Sequence, residues 1–129
     1  MEKDKRRVYV AGKYTDDKLV DQLGNIAFAE GTGKILASYG IKTYVPHCAT
    51  AMWDDVNDYD YFMDLHTSVL ENWATDIYLL HNWKDSNGAK IEEELAKKLG
   101  INVWDNLDDL IYDITGDDSS YQEYLNERW

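Results

Sequence analysis

Residues 76–104 read DIYLLHNWKDSNGAKIEEELAKKLGINVW, and this stretch decides the fold. Its first five residues place an apolar and aromatic run behind one aspartate, which predicts a buried strand. A helix over about 89–99 follows a polar loop, and Gly100 is typical of the position after a helix end. The last four residues, 101–104, predict another strand. A strand, a helix and a strand in this order indicate a parallel β-α-β unit.

The same alternation extends toward the N-terminus. Residues 7–12, RVYVAG, predict the first strand, and residues 41–45 predict the second strand before Pro46. Helices are predicted over about 17–39 and 59–74. The order β-α-β-α-β-α-β predicts an α/β domain of three layers, with helices on both faces of a parallel sheet, as in flavodoxin-like and Rossmann-like proteins.

The first helix carries conflicting signals. Asp16 or Asp17 is a candidate N-cap, whereas Gly31 and Gly33 weaken the helix and are expected to kink or break it. Its apolar positions are expected to face the core: Leu19, Val20, Leu23, Ile26, Ala27, Ile35 and Leu36. The segment 47–58 is predicted to be a loop.

A chain of 129 residues suits one compact domain, residues 1–129. We place its core at about residues 7–104 and expect residues 105–129 to form an acidic, helical tail. The aromatic end of this tail, Tyr121–Trp129, is a candidate contact with a second copy of the chain. A tail that folds back on its own domain is an equal alternative.

Composition limits the classes of function. The net charge of −12 argues against a nucleic-acid polymer as partner, because phosphate binding needs a basic surface, but it permits a small nucleoside or nucleotide in a shielded pocket. Cys48 is the only cysteine, which favours a reducing, cytoplasmic compartment. No apolar stretch approaches about 18 residues, so we expect neither a signal peptide nor a membrane span.

Three loops are expected to converge on a ligand site. In a parallel sheet flanked by helices, ligands bind beyond the carboxyl ends of the strands. The loops at those ends are 13–17, 46–58 and 81–88, and the helix over 89–99 starts behind the last of them.

Glu92 is the glutamate of this helix that lacks an ordinary explanation. At 100° per residue it falls among the positions expected to pack on the sheet: Gly88, Ile91, Leu95, Ala96 and Leu99. Glu93 and Glu94 fall outside that arc. Each stands four residues before a lysine, Lys97 or Lys98, as in favourable ion pairs. A carboxylate on a packed face needs a hydrogen bond or a pocket. Glu92 therefore faces the predicted site, unless it caps backbone amides or lies at the edge of the packed face.

Residues 86–92 read SNGAKIE, and residues 8–15 read VYVAGKYT. These segments resemble the S-x-G-x-x-x-E segment and the strand ending in Gly-x-Tyr-Thr of the nucleoside 2-deoxyribosyltransferase-like superfamily. That superfamily includes deoxyribosyltransferases and deoxynucleoside-monophosphate N-glycosidases. The longer run ATDIYLLHNWKDSNGAKIEEELAKKLGINV is similar to a small, often phage-encoded branch. The resemblance covers about residues 7–104.

The resemblance implies an enzyme that cleaves or transfers an N-glycosidic bond. Glu92 matches the family's nucleophile, which attacks the anomeric carbon of the sugar and displaces the base. Ser86 and the amides near Gly88 would hold the sugar or a phosphate. Gly12 would permit close approach of the backbone, and Tyr14 would position Glu92 or the sugar.

One position departs from the family. Active members often carry an aspartate eight residues before the strand aspartate, where it contacts the sugar and assists departure of the base. Here Ser68 stands eight residues before Asp76, and Asp64, one helical turn earlier, is a candidate substitute. Family members assemble as dimers or higher oligomers, so we expect a homo-oligomer.

Further candidates lie in the loops. His47 follows Pro46 and either hydrogen-bonds a base or sugar or has a backbone partner, and Trp83 either walls a base pocket or covers the strand edge. Residues 54–58 lack the spacing and the glycine of a calcium loop, and no phosphate-loop or dinucleotide motif occurs. We therefore expect no metal and no cofactor.

Two functions are consistent with these patterns. The first is cleavage or transfer at the N-glycosidic bond of a deoxynucleoside or its 5′-monophosphate. The alternative is a catalytically weak or inactive protein that keeps the fold and binds or sequesters a nucleotide, or contacts a host protein. Glu92 favours the enzyme and Ser68 favours the alternative. The loop sequence KYTDD leans toward an unphosphorylated nucleoside, because Asp16 and Asp17 repel a phosphate while Lys13 attracts one.

Overall fold

The computed structural model describes residues 2–128, apart from the side chains of Glu2, Tyr124 and 126–128. Four strands form one parallel sheet in the order β2-β1-β3-β4. The strands are β1 (Arg7–Ala11), β2 (Lys42–Tyr44), β3 (Asp76–Leu79) and β4 (Asn102–Trp104). The helices are α1 (Glu2–Lys5), α2 (Leu19–Ser38), α3 (Pro46–Ala49), α4 (Tyr59–Trp73), α5 (Asn87–Lys98), α6 (Leu107–Thr115) and α7 (Tyr121–Arg128). A 3₁₀ turn, Trp83–Asp85, precedes α5.

Side chains of the two central strands alternate between two cores, because successive residues of a strand point to opposite faces. On one face, Val8 and Val10 pack with apolar residues of α2, α6 and α7. On the other face, Tyr9, Ala11 and Ile77 pack with residues of α4 and α5. The predicted α/β architecture, a parallel sheet with helices on both faces, is confirmed.

The first long helix differs from its prediction in three ways. It begins at Leu19 with Lys18 at the cap and no side-chain cap, so the predicted capping by Asp16 or Asp17 was wrong. It is continuous to Ser38, because neither glycine interrupts it. Gly33 instead allows close packing, since a Cβ there would lie 2.6 Å from Val45 Cγ2.

The apolar residues at the start of α2 were also expected in the core. Leu19, Val20 and Leu23 are exposed, and the face turned to the protein carries Gln22 and Phe28 instead. Helical periodicity identified an apolar set here, but the sheet does not cover the first turns of this helix.

The tail folds back on its own domain. Leu125 is buried in the α2/α6 core, and the Asp108 carboxylate accepts hydrogen bonds from the amides of Tyr121 (2.8 Å) and Gln122 (3.0 Å). In the predicted Tyr121–Trp129 contact, the side chains of Tyr124 and 126–128 and the whole of Trp129 lie outside the described residues. Between residues 2 and 128, no helix has both the length and the apolar character that a membrane crossing requires.

Candidate functional site

A cavity of about 690 Å³ opens at the carboxyl ends of β1 and β2, in front of the start of α5. The three loops predicted to converge all contribute to its lining. Six of the predicted site residues line it: Gly12, Tyr14, His47, Ser86, Gly88 and Glu92. The short helix α3 occupies part of the segment 47–58 that was predicted to be a loop, and it places His47 against the cavity.

Glu92 is a buried carboxylate with one hydrogen-bond donor among the described residues. Its residue is 6% exposed, and the Tyr9 hydroxyl donates to Glu92 Oε2. No described lysine, arginine or histidine forms an ion pair with it. Burial raises the pKa of Glu92 to about 7, against a smaller lowering by the Tyr9 hydrogen bond. The carboxylate therefore carries a charge that the surrounding protein neutralises poorly.

The face of α5 that packs on the sheet was misplaced in the prediction. Ala89, Glu92, Glu93 and Ala96 are its buried residues, whereas Ile91 is 49% exposed. The buried arc is rotated by roughly a quarter turn from the expected one. Two alanines let the helix lie close to the sheet, and the Lys97 ammonium, 2.6 Å from Glu93 Oε2, accompanies the second buried carboxylate. Glu92 faces inward under either placement.

Tyr9 is a hydrogen-bond partner of Glu92 that the sequence motifs did not indicate. It lies in the middle of β1 with no exposed surface, and burial together with the nearby Glu92 raises the pKa of its hydroxyl well above its ordinary value. Strand alternation does place Tyr9 on the same face as Ala11, and a buried phenol usually needs an acceptor. Those signals indicate that the hydrogen-bond acceptor of the Tyr9 hydroxyl lies on α4 or α5, but they do not identify the residue.

Tyr14 holds the loop rather than the glutamate. Its hydroxyl donates to Asp54 Oδ1 (2.6 Å) and accepts from the Met52 amide (2.9 Å). The other oxygen of Asp54 accepts from Gln22 Nε2 at 2.9 Å. These bonds join the loop after β1, the start of α2 and the loop before α4 into one wall of the cavity.

His47 is a buried histidine with one unpartnered nitrogen. Its Nε2 lies 3.0 Å from the Lys13 carbonyl oxygen, so Nε2 carries the proton. Its Nδ1 has no hydrogen-bond partner among the described residues. Burial lowers the pKa of His47 to about 4, against smaller raising contributions from the backbone. The imidazole is therefore neutral at physiological pH.

His66 also lines the cavity, although the motifs gave no role for it. Its Nδ1 is 3.0 Å from the Tyr44 hydroxyl and its Nε2 is 3.2 Å from Thr50 Oγ1. Burial lowers its pKa. Both ring nitrogens are satisfied within the protein, so His66 supports the cavity wall.

Two glycines lie close to other side chains of the protein. A Cβ at Gly12 would lie 2.5 Å from Leu80 Cδ1 and 2.9 Å from Asn82 Oδ1, which itself accepts from the Lys13 amide. A Cβ at Gly88 would lie 3.1 Å from the Tyr59 hydroxyl. Close protein packing, rather than approach of a ligand, therefore accounts for glycine at position 12, whereas a side chain at position 88 would need only a small shift of Tyr59 and Met63.

A family model described as "Domain of unknown function (DUF4406)" matches residues 6–105. The chain belongs to the DUF4406 family. The matched region contains all four strands and every residue of the cavity wall. Neither the curated proteins nor the solved structures include one that matches the chain.

Three positions considered in the sequence lie away from this DUF4406 cavity. Trp83 packs against the core between the sheet, α4 and α5, so it does not wall the cavity. Asp64 is exposed on α4, and Ser68 borders a separate shallow groove beside Asn72 and Trp73. None of the three is part of the cavity lining that the described residues form.

The DUF4406 cavity is acidic. Asp54, Asp85 and Glu92 contribute carboxylates to it, and Lys13 is the one lysine or arginine among its described lining residues. Lys13 Nζ lies 3.2 Å from Asp16 Oδ2, so its charge is already paired. Ser86 caps α5 by accepting from the Ala89 amide at 3.1 Å. Over the described part of the chain, no group of three histidines, cysteines or acidic residues is arranged to hold a metal ion.

Proposed function

We propose that this protein cleaves or transfers the N-glycosidic bond of a deoxynucleoside or deoxynucleoside 5′-monophosphate, with Glu92 as the nucleophile. One observation carries the proposal: a buried carboxylate that pairs with no described cation lines a cavity large enough for a nucleoside. A carboxylate paired with lysine or arginine would be a poor nucleophile. Glu92 has one phenolic donor instead, which fixes one of its oxygens.

The reaction would proceed in two displacements. The ionised Glu92 carboxylate attacks the anomeric carbon of the sugar, the bond to the base breaks, and a glycosyl-enzyme ester forms. Water then hydrolyses the glycosyl-enzyme ester and releases the free sugar, or a second base attacks the ester and takes the sugar as a new nucleoside. The Tyr9 hydroxyl bonded to Glu92 Oε2 orients the carboxylate in both steps.

The remaining polar groups suit a sugar and a base. The Ser86 hydroxyl uses its oxygen to cap α5, which leaves its proton for a sugar oxygen or a phosphate. His47 and Tyr14 line the wall where the base would lie. A nucleoside fits the acidic cavity better than a monophosphate does, because Lys13 is already paired with Asp16.

A binding protein without turnover is the second candidate. It is favoured by Ser68, which stands where the family resemblance expects an assisting aspartate and which borders a different groove. Such a protein would hold a nucleoside in the same cavity but release no base.

We also propose self-association and a cytoplasmic location. The exposed Leu19, Val20 and Leu23 on α2 give an apolar surface that a second copy of the chain would cover, which light scattering after size-exclusion chromatography tests. The lone Cys48 and a nucleoside substrate suit the cytoplasm.

The test is base release from a panel of deoxynucleosides and their 5′-monophosphates, measured by chromatography. Glu92→Gln should lower the rate by at least roughly 10³-fold, because it removes the nucleophile. Glu94→Gln is the matched control, since Glu94 lies on the exposed side of the same helix. Mass spectrometry of the quenched enzyme should find the sugar adduct on the peptide that contains Glu92.

Two results would contradict the enzyme. Base release that persists unchanged in Glu92→Gln removes this residue as nucleophile. Saturable binding of a nucleoside with no release of base from any member of the panel supports the binding protein instead. Thermal unfolding of both variants shows whether loss of activity reflects loss of the fold.

A further inference from the structure

We infer that the substrate carries a positively charged base, such as an N-alkylated purine or a pyridinium, because no described side chain that lines the cavity is placed to protonate a departing neutral base. This inference rests on the proposed function and narrows its substrate class. It concerns the leaving group, which the nucleophile alone does not determine.

The balance of charge in the first step sets the requirement. When a Glu92 oxygen bonds to the anomeric carbon, the electron pair of the carbon–nitrogen bond passes to the base. A neutral base then becomes an anion unless a proton reaches it in the same step. A cationic base leaves as a neutral molecule and needs no proton. In the second step water cleaves the ester, which returns the Glu92 carboxylate and releases one proton to solvent.

The carboxyl groups of the cavity do not supply that proton. Both oxygens of Asp54 accept hydrogen bonds, from Tyr14 and from Gln22, so the carboxylate is held as an acceptor. Asp85 is exposed in the turn before α5. Glu92 must itself be ionised in order to attack the sugar.

The two histidines of the cavity are neutral, and their N–H protons are already used in hydrogen bonds within the protein. His47 donates its proton to the Lys13 carbonyl, and its unpartnered Nδ1 is an acceptor. His66 bonds Tyr44 and Thr50 through its two ring nitrogens. Burial lowers the pKa of both residues, so neither carries a spare proton at neutral pH.

The remaining titratable groups are weaker acids or already engaged. Burial raises the pKa of the Tyr14 and Tyr59 hydroxyls, with contributions from Asp54 and Glu92 respectively, so both are poorer proton donors than an ordinary phenol. The Lys13 ammonium is bound to Asp16. In the described lining of the cavity, therefore, no side chain is placed as a general acid for the leaving base.

The same cavity attracts a cation. Its carboxylates lie beside the rings of Tyr14, Tyr59 and Phe62, and a cationic heterocycle packs favourably against such rings. The net charge of −12 adds a long-range field of the same sign. Charge and leaving-group chemistry thus select the same class of substrate.

The experiment compares 7-methyl-2′-deoxyguanosine with 2′-deoxyguanosine, which differ by one methyl group and one positive charge. For each nucleoside, the rate of base release by the wild-type protein is divided by the rate in a parallel sample that contains Glu92→Gln. This ratio is the acceleration. General acid catalysis contributes roughly 10²–10⁴-fold, so the acceleration should be larger by that factor for the methylated nucleoside. Both rates are measured below the pH at which the methylated base loses its ring N1 proton, because only there does this base leave as a neutral molecule that needs no proton donor.

The outcomes separate the two levels of the proposal. Equal acceleration of both nucleosides, or a bell-shaped pH profile for 2′-deoxyguanosine, overturns the inference and leaves the glycosidase in place. Release of neither base by the wild-type protein, together with none from the wider panel, removes the proposed function and this inference with it.

Discussion

Two buried carboxylates at opposite ends of the sheet differ in almost everything except burial. Asp76, at the start of β3, has no exposed surface and accepts five hydrogen bonds, two from Arg6 and one each from Thr75, Asn102 and Trp104. Glu92, at the other end, is 6% exposed and accepts one, from Tyr9.

Their pKa values move in opposite directions. Burial alone would raise the pKa of Asp76, but the hydrogen bonds from Arg6, Thr75 and Trp104 outweigh it and leave the pKa below its ordinary value. Burial raises the pKa of Glu92 to about 7, because one phenol cannot compensate for the lost water. The number and charge of the donors decide whether a buried carboxylate stabilises the fold or stays available for chemistry.

Removing the satisfied carboxylate should have the largest effect on stability. Asp76→Ala leaves the Arg6 guanidinium facing a buried gap, and such a loss typically costs roughly 3–5 kcal/mol. Urea unfolding followed by circular dichroism measures the change. Asp113→Ala is the control, because this partly exposed second partner of Arg6 should contribute about 1 kcal/mol or less. Equal losses for the two variants would contradict the assignment.

Removing the Glu92 carboxylate, which has one donor and no described cation, should stabilise the protein at high pH. The folded-state pKa of Glu92, about 7, lies above its ordinary 4.5, so the folded protein binds the proton more tightly than the unfolded chain does. This contribution to stability is fully present below about pH 4.5 and is lost as the pH rises through 7. The loss is on the order of 3 kcal/mol, at 1.36 kcal/mol for each pKa unit.

Glu92→Gln isolates this contribution, because glutamine does not titrate. The difference in unfolding free energy between the variant and the wild type should grow from pH 5 to pH 8 in favour of the variant. Glu94→Gln should show no such growth, since that side chain is exposed. A difference that is constant with pH would mean that Glu92 is not held in a poorly solvated environment.

Tyr9→Phe should move the ionisation of Glu92 without removing it. The phenol lowers the pKa of Glu92, so its loss should raise the pH midpoint of kcat/KM. A hydrogen bond to a charged group is worth about 1.5–3 kcal/mol, which corresponds to an upward shift on the order of one pH unit or somewhat more. Tyr14 lines the same cavity, but its hydroxyl donates to Asp54 instead of Glu92. Tyr14→Phe should therefore leave the pH midpoint of kcat/KM unchanged. Equal shifts in both variants would contradict the assignment of Tyr9.

The sheet, its flanking helices and the convergence of three loops were predictable from the sequence. Alternation in β1 and the β-α-β order are local signals, and the crossover rules convert them into one architecture. The inward direction of Glu92 followed from helical spacing. The partner of Glu92 did not, because Tyr9 lies 83 positions away and meets it only when α5 is docked on the sheet.

The rotation of α5 shows where spacing fails. Apolar residues define one face of a helix, but the space available on the sheet sets which face packs against it. Where the helix lies close to the sheet, small side chains are the ones that are buried. Ala89 and Ala96 are buried while Ile91 and Leu99 are exposed. The same failure occurs at Leu19 and Val20 of α2, where an apolar set has no sheet beneath it.

The smallest effect is predicted for a third buried carboxylate, Glu93. Its supply of hydrogen-bond donors and cations is intermediate between those of Asp76 and Glu92. Glu93 is nearly as buried as Glu92, but the Lys97 ammonium 2.6 Å away supplies the cation that Glu92 lacks. Lys97 itself is largely exposed, so solvent screens the pair and Lys97→Ala should cost only about 0.2–0.5 kcal/mol in urea unfolding. Lys98→Ala is the control, because Lys98 forms no ion pair with any described residue and should change stability less. A cost above about 2 kcal/mol for Lys97→Ala would mean that Glu93 depends on its cation as strongly as Asp76 depends on Arg6. That result would contradict the expectation that an exposed cation stabilises a buried carboxylate less than a buried cation does.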